Sequence, residues 1–409
     1  MIGTKKITVS LLLEGNRYEV GELVLSGDKI YFRYDADYLK NGFSLSPIKL
    51  PFTSEIVSAD REPFEGLFGV FNDSLPDGWG RLLLDRSLAS KGIDIAGITP
   101  LDRLAFVGST GMGALIYQPE IEPGKDAGSI PELDLLAKEV KQILQGTSSD
   151  IIEELFILGG SSGGARPKVF VGYNSNTGNL IHGLNNLPEG YDDWIIKFPS
   201  SSDNPEIANI EFAYHKMALQ AGIQMSECRL FNGKSGKVYF GTKRFDRKGG
   251  KRLHTHTASG LMHDNFRMST MDYGHLMDCA FRLERHVQAY EKIFRLAAFN
   301  VYSHNRDDHS KNFSFLMNGK GEWQFAPAYD LTFSNSAYGF HSTMIAGESQ
   351  NPGRKQLMKL ADHFGLKNAG IIIEEVQDAI NQWPTIAREG GVSNDIIQNI
   401  QKAVSTIMD

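Results

Sequence analysis

Strand-forming and helix-forming stretches are segregated along this chain, and that ordering narrows its possible folds more than any single motif. Residues 1 to 55 read as short strands, "KITVSLLLEGNRYEVGELVLSGDKIYFRYD", punctuated by turn signals at Gly15-Asn16 and Gly27-Asp28. Residues 150 to 250 mix strands and helices, and from 272 onward helices dominate. Strands and helices that do not alternate argue for an α+β fold and against a doubly wound parallel sheet. At 409 residues the chain exceeds what one hydrophobic core commonly serves, so several domains are expected. We place them at 1–125 (β-rich), 126–250 (mixed) and 251–409 (helical). The Pro/Gly/acid-rich segment "EIEPGKDAGSIPEL" at 120–133 reads as a linker.

The N-terminal "MIGTKKITVSLLLEGN" reads as a first strand and not as a signal peptide, because its apolar residues partly alternate and no small-residue cleavage site follows. No apolar run approaches the ~18 residues of a membrane span. Cys228 and Cys279 lie far apart with no CxxC, which is the usage of a reducing compartment. These features predict a cytoplasmic protein with no membrane association. The net charge of −7 argues against nucleic-acid binding through bulk charge.

Five features carry chemistry. "YSHNRDDHSKNFSFL" (302–316) follows a predicted helix and places Asp307 five residues before Asn312. Phosphoryl transfer needs an acid to orient the attacking hydroxyl and an oxygen ligand for Mg²⁺ nearby, and protein kinases meet both needs with D-x₄-N. A capped, solvated turn would use the same letters. "WQFAPAYDLTF" adds Asp330, flanked by Tyr329 and Leu331; buried there, it needs a metal or a nearby Lys or Arg. "DWIIKFP" sets Lys197 in a run of β-formers, where lysine is depleted unless an anion partners it. A kinase fixes such a lysine with an acid from the next helix, and Glu211 lies 14 residues on. An edge-strand lysine reaching for solvent is the alternative. "LGGSSGGARPKVFV" has the glycines that let backbone amides approach phosphate, but it is neither a Walker A loop nor G-x-G-x-x-G, and a flexible hairpin loop is equally compatible.

Taken together, "NRDDHSKNFSFL", "GGSSGGARPK", "WIIKFP", "TKRFDR" and "FAPAYDLTFS" resemble the HipA family of serine/threonine protein kinases, toxins of bacterial toxin–antitoxin pairs. "FNDSLPDGWGRLLLDR" resembles that family's N-terminal subdomain, so the resemblance covers nearly the whole chain. It implies a two-lobed protein-kinase-like fold: an N-terminal β-rich subdomain, a small lobe with the Gly-rich loop, and a helical C-terminal lobe. By resemblance, Asp307 is the catalytic base, and Asn312 and Asp330 bind Mg²⁺. Lys197 holds the ATP phosphates, with Ser162, Gly163, Gly164, His309 and Lys311 around the nucleotide. Backbone groups from Lys243 to Phe245 line the adenine. Ser161 or Ser162 is the autophosphorylation site. The implied partners are a protein substrate and a HipB-like helix-turn-helix antitoxin, with DNA contacted only through that antitoxin. Two other readings stay open: an ATP-dependent phosphotransferase of small molecules, and a non-catalytic co-repressor acting through its partner.

His254, His256 and His263 form a second cluster. H-x-H can ligate zinc, but no cysteine is near, and a loop beside the nucleotide cleft is the preferred reading. Asp77-Gly78-Trp79-Gly80 reads as a structural turn with Trp79 packed beneath it.

Overall fold

The computed structural model describes residues 3–121, 130, 132–146, 152–159, 163–182, 187–336 and 339–408. The first sheet contains β1 (Lys6–Leu13), β2 (Asn16–Ser26), β3 (Lys29–Tyr34), β4 (Val57–Ser58) and β5 (Leu115–Gln118), in the order β4-β3-β2-β1-β5. β1 shows why it is a strand: Ile7, Val9, Leu11 and Leu13 recur with period two and are all fully buried. Its hairpin to β2 turns through Glu14 and Gly15, both left-handed, as a two-residue connection requires. Not all of residues 1–55 is strand, because Asp35 caps a short helix, α1 (Ala36–Asn41), by accepting from the amides of Asp37 and Tyr38. The subdomain is completed by α2 (Gly69–Asn72), α3 (Gly78–Ser90) and α4 (Pro100–Val107). Helix α3 starts at Gly78, four residues before Leu82, where the stretch Leu82 to Leu88 signals a helix in the sequence.

The second sheet runs β7-β6-β8-β10-β9, from β6 (Lys168–Tyr173), β7 (Leu180–His182), β8 (Asp192–Lys197), β9 (Cys228–Asn232) and β10 (Val238–Lys243). Its apolar face is covered by α5 (Leu133–Leu144) and α6 (Ile152–Gly159), and also by Trp79 and Leu83 of α3. The N-terminal subdomain therefore contributes to the core of the small lobe. Helix α7 (Ile207–Gln220) packs on β9 and β10 on one side and on the helical lobe on the other.

A short hairpin, β11 (Arg247–Lys248) and β12 (Lys251–Arg252), leads into a three-stranded sheet of β13 (His254–Thr257), β14 (Ser314–Met317) and β15 (Trp323–Phe325). Around it stand α8 (Ala258–Met262), α9 (Tyr273–Glu284), α10 (Gln288–Tyr302), α11 (Arg354–Phe364), α12 (Ala369–Asn381), α13 (Trp383–Glu389) and α14 (Asn394–Met408). The largest core, with Phe294, Phe299, Ile373 and Trp383 fully or almost fully buried, lies among these helices. The result is a two-lobed α+β fold of the protein-kinase kind. Among the described residues, no helix is long and apolar enough to cross a membrane.

His254 and His256 do not sit on a loop. His254 and His256 lie buried on β13, where His254 bonds the Leu45 carbonyl at 3.0 Å and His256 sits between Asp73 (2.6 Å) and Ser46 (2.9 Å). His263 accepts from the Gly69 amide at 3.0 Å. All three rings fasten the N-terminal subdomain to the helical lobe. The sequence reading failed because an H-x-H pattern does not say which element packs over the strand.

Candidate active site

Lys197 closes β8, and its side chain is buried. Its ammonium contacts Glu211 of α7 and Asp330, which follows β15. The two carboxylates offset the desolvation of a buried lysine and hold its proton affinity above the ordinary lysine value, although burial alone would lower it. Asp330 is the reciprocal case: burial works to raise its pKa, but Lys197, Lys168 and Arg166 win and hold it far below the ordinary carboxylate value. Its backbone is left-handed (φ 54°), a conformation Asp tolerates better than most residues and one found preferentially at functional sites. Arg166, three residues after Gly163, joins the same network through Glu211 (3.0 Å) and Asp203 (3.1 Å).

Lys168 pairs with Lys197 in the β6–β8 register. Its ammonium ends on the Gly163 carbonyl at 2.5 Å, not on a carboxylate. Burial and the neighbouring Lys197 lower its pKa, against the pull of Asp330 and Asp77.

The polar motif after α10 is held from within. Asp308 is buried and fully engaged: Tyr273 donates to it at 2.9 Å, His341 lies at 3.0 Å, and the Ser342 amide donates at 2.8 Å. That anchor turns the adjacent Asp307 outward, with 59% of its side chain accessible. Even so, desolvation raises the Asp307 carboxyl above the ordinary carboxylate value; His309 opposes the rise and Asp330 adds to it. His309 lies 4.0 Å from Asp307 and packs on Phe266. Asn312 donates its side-chain amide to the Asp307 carbonyl at 2.8 Å, which leaves its side-chain oxygen to act as an acceptor. Tyr329 bonds the Lys311 carbonyl at 2.6 Å and so ties the segment bearing Asp330 to the one bearing Asn312.

Lys311 does not stand free. It is paired with Asp77 at 2.5 Å, and the other oxygen of Asp77 accepts from the Gly164 amide. The "PDGW" turn is therefore part of the site and not only a support for Trp79. Lys243 turns its ammonium to Asp192 (2.7 Å), while its amide bonds the Glu227 carbonyl (2.8 Å). The Arg244 amide is taken by Asp193 (2.8 Å), and the Phe245 ring packs on Tyr329. Ser161 and Ser162 lie outside the described residues. Sequence reasoning missed Asp77, Arg166, Lys168, Asp203 and Asp308. Only Lys168 carried a signal of its own, a lysine opening a β-prone run.

Asn312 and Asp330 suit a hard cation that takes its remaining ligands from phosphate oxygens. No group of three His, Cys, Asp or Glu side chains among the described residues could hold a metal by itself, and such a shared site requires none.

Comparison with known proteins bears on the family and the fold. Residues 13–118 match the HipA N-terminal domain and residues 160–383 match the HipA-like C-terminal domain. The fold is similar to HipA in the Shewanella oneidensis MR-1 complex of HipA, HipB and operator DNA. That match has a TM-score of 0.68 at 18% identity and covers 98% of this chain and 96% of that one. A weaker likeness is to the Helicobacter pylori proinflammatory kinase CtkA, with a TM-score of 0.36 at 12% identity, covering 55% of this chain and 90% of that one. No curated protein sequence matches the chain. With more than half its length matched by the family's two domains in their proper order, the chain belongs to the HipA family.

Proposed function

We propose that this chain is an ATP- and Mg²⁺-dependent serine/threonine protein kinase acting in the cytoplasm as the toxin of a toxin–antitoxin pair. The observation that carries the reading is the convergence of Lys197, Glu211 and Asp330, from three separate elements, on the segment that bears Asp307 and Asn312, to which Tyr329 ties them. Kinases need that set in one place, and a capped surface turn does not.

The nucleotide would lie between the Gly-rich loop and Asp330, with its phosphates against Lys197 and Lys168 and its adenine along Lys243 to Phe245. The amides of Lys243 and Arg244 are already bonded, so Phe245 would offer the backbone donor. Asn312 and Asp330 would hold Mg²⁺, which supplies charge neutralisation at the transferring phosphoryl group. Asp307 would accept the proton of the acceptor hydroxyl as the new P–O bond forms to the γ-phosphorus and the bond from that phosphorus to the bridging oxygen breaks, ADP leaving with the bonding electrons. Asp308 keeps Asp307 aimed outward during that step. Lys197, held by Glu211, stays charged throughout. Ser161 or Ser162, on the Gly-rich loop, is the proposed autophosphorylation site.

The structural match to a HipA–HipB–DNA complex supports a HipB-like partner; in this proposal that partner carries the helix-turn-helix, and DNA is contacted through it. Radiolabelled ATP, mixed with the pure protein and cell lysate, tests the reading. Label on protein serine or threonine is expected with the wild type and lost with Lys197→Met. Label confined to small molecules would favour the small-molecule phosphotransferase. No label at all would favour a chain that works only through its partner.

A further inference from the structure

The proposed reaction uses Asp307, Asn312, Asp330, Lys197 and the Gly-rich loop, and it makes no use of the buried carboxylate of Asp77. Asp77 belongs to the N-terminal subdomain, yet its two oxygens take groups from two different parts of the cleft. One accepts from the Gly164 amide, at the end of the Gly-rich loop. The other pairs with Lys311 of the catalytic loop at 2.5 Å. The pair is well shielded, with side-chain accessibilities of 14% for Lys311 and 12% for Asp77, so solvent screens it little.

The surrounding turn is shaped for this contact. The Trp79 amide donates to the Gly164 carbonyl at 3.1 Å, so residues 77–79 hold both backbone groups of Gly164. Gly78 has φ +41°, and a Cβ on it would lie 2.6 Å from both the Gly164 carbonyl oxygen and the Ala165 Cα. Any other residue there would push the loop away. Trp79 is anchored in the core of the small lobe with Val169 and Ile196, so the clamp rests on a rigid base. Lys311 also lies over the Phe266 ring at 4.7 Å, which limits where its ammonium can swing.

We propose that Asp77 is a positioning residue of the transfer site. A single carboxylate from the N-terminal subdomain fixes the end of the Gly-rich loop and the catalytic-loop lysine relative to each other. The inference rests on the phosphotransferase reading for its consequence in catalysis, but the clamp itself is a property of the nucleotide-free protein.

Two measurements on the full chain test it. The first is amide hydrogen exchange at residues 163–166 without nucleotide, in wild type, Asp77→Ala and Asp77→Asn, with circular dichroism to confirm folding. Exchange at Gly164 is expected to rise by at least about tenfold in Asp77→Ala, since its acceptor is gone. Unchanged exchange in a folded Asp77→Ala overturns the proposal whether or not the chain transfers phosphate. The second is a double-mutant cycle on kcat/KM with Asp77→Asn and Lys311→Met. Asp77→Asn is expected to cost about tenfold alone and less than about threefold when Lys311 is already Met, the mark of residues acting as one unit. Equal losses in both backgrounds overturn it, because Asp77 would then act without Lys311. A folded wild type that transfers no phosphate would instead overturn the kinase reading, with the exchange result still deciding the clamp. If Asp77→Ala fails to fold, the isosteric Asp77→Asn and the Lys311 cycle decide alone.

Discussion

Lys168 and Lys197 face each other across the β6–β8 pairing, and they end on different chemistry: Lys197 on two carboxylates, Lys168 on the Gly163 carbonyl. Like charges directly opposite on a sheet are unfavourable unless an anion lies near both. Lys168 is the group with affinity left to give.

Binding of a phosphate-bearing ligand should therefore take up protons. Burial holds the Lys168 pKa below the ordinary value of 10.5 in the empty protein, and an adjacent phosphate raises it. Affinity is full below the depressed pKa and falls as pH rises through it. Calorimetry of ATP binding in alkaline buffers of different ionisation enthalpy should show net proton uptake, abolished in Lys168→Met. Identical heats in all buffers would place the phosphates elsewhere.

Asp330→Ala should weaken nucleotide binding much more with Mg²⁺ present than in EDTA. The carboxylate is the charged half of the proposed metal pair, and in EDTA its loss also frees Lys197 for the phosphates. Equal losses in both conditions would make Asp330 a structural partner of Lys197 alone.

Asp246 carries a stability prediction. It is fully buried, takes both Arg244 (2.8 Å) and Arg247 (2.6 Å), and accepts from the Gly113 amide at 2.7 Å. Burial opposes its ionisation, but the two arginines hold its pKa far below 3.8. Its contribution is thus present above the unfolded carboxylate pKa and is lost as pH falls through the depressed folded one. Asp246→Ala strands buried arginines and should cost about 3–5 kcal/mol in urea unfolding at neutral pH. A loss of less than about 1 kcal/mol would mean that water reaches the cluster.

The site was partly legible before the fold was known. Lys197, Glu211, Asp307, Asn312 and Asp330 could be named because a residue of the wrong polarity in a β-prone run, or a fixed spacing in a loop, is a local signal. Asp77 gave none: it sits in a Pro-Asp-Gly turn that explains itself, and its partner Lys311 is 234 residues away. Asp308 was hidden beside Asp307, since sequence does not say which of two adjacent acids faces inward. The buried histidines were misplaced for the same reason, because their surroundings come from Leu45, Ser46 and Asp73 on another subdomain.

The most direct measurement is the pH dependence of phosphoryl transfer in wild type and Asp307→Asn. With Asp307 as base, kcat should rise with pH through a carboxylate pKa lying above 3.8, since desolvation raises that group while Asp330 is held far below the same value. Asp307→Asn should bind ATP normally, lose about 10²- to 10⁴-fold in kcat, and lose that acid limb. A folded Asp307→Asn protein with near wild-type turnover and an unchanged pH profile would contradict the assignment of this cleft as the transfer site.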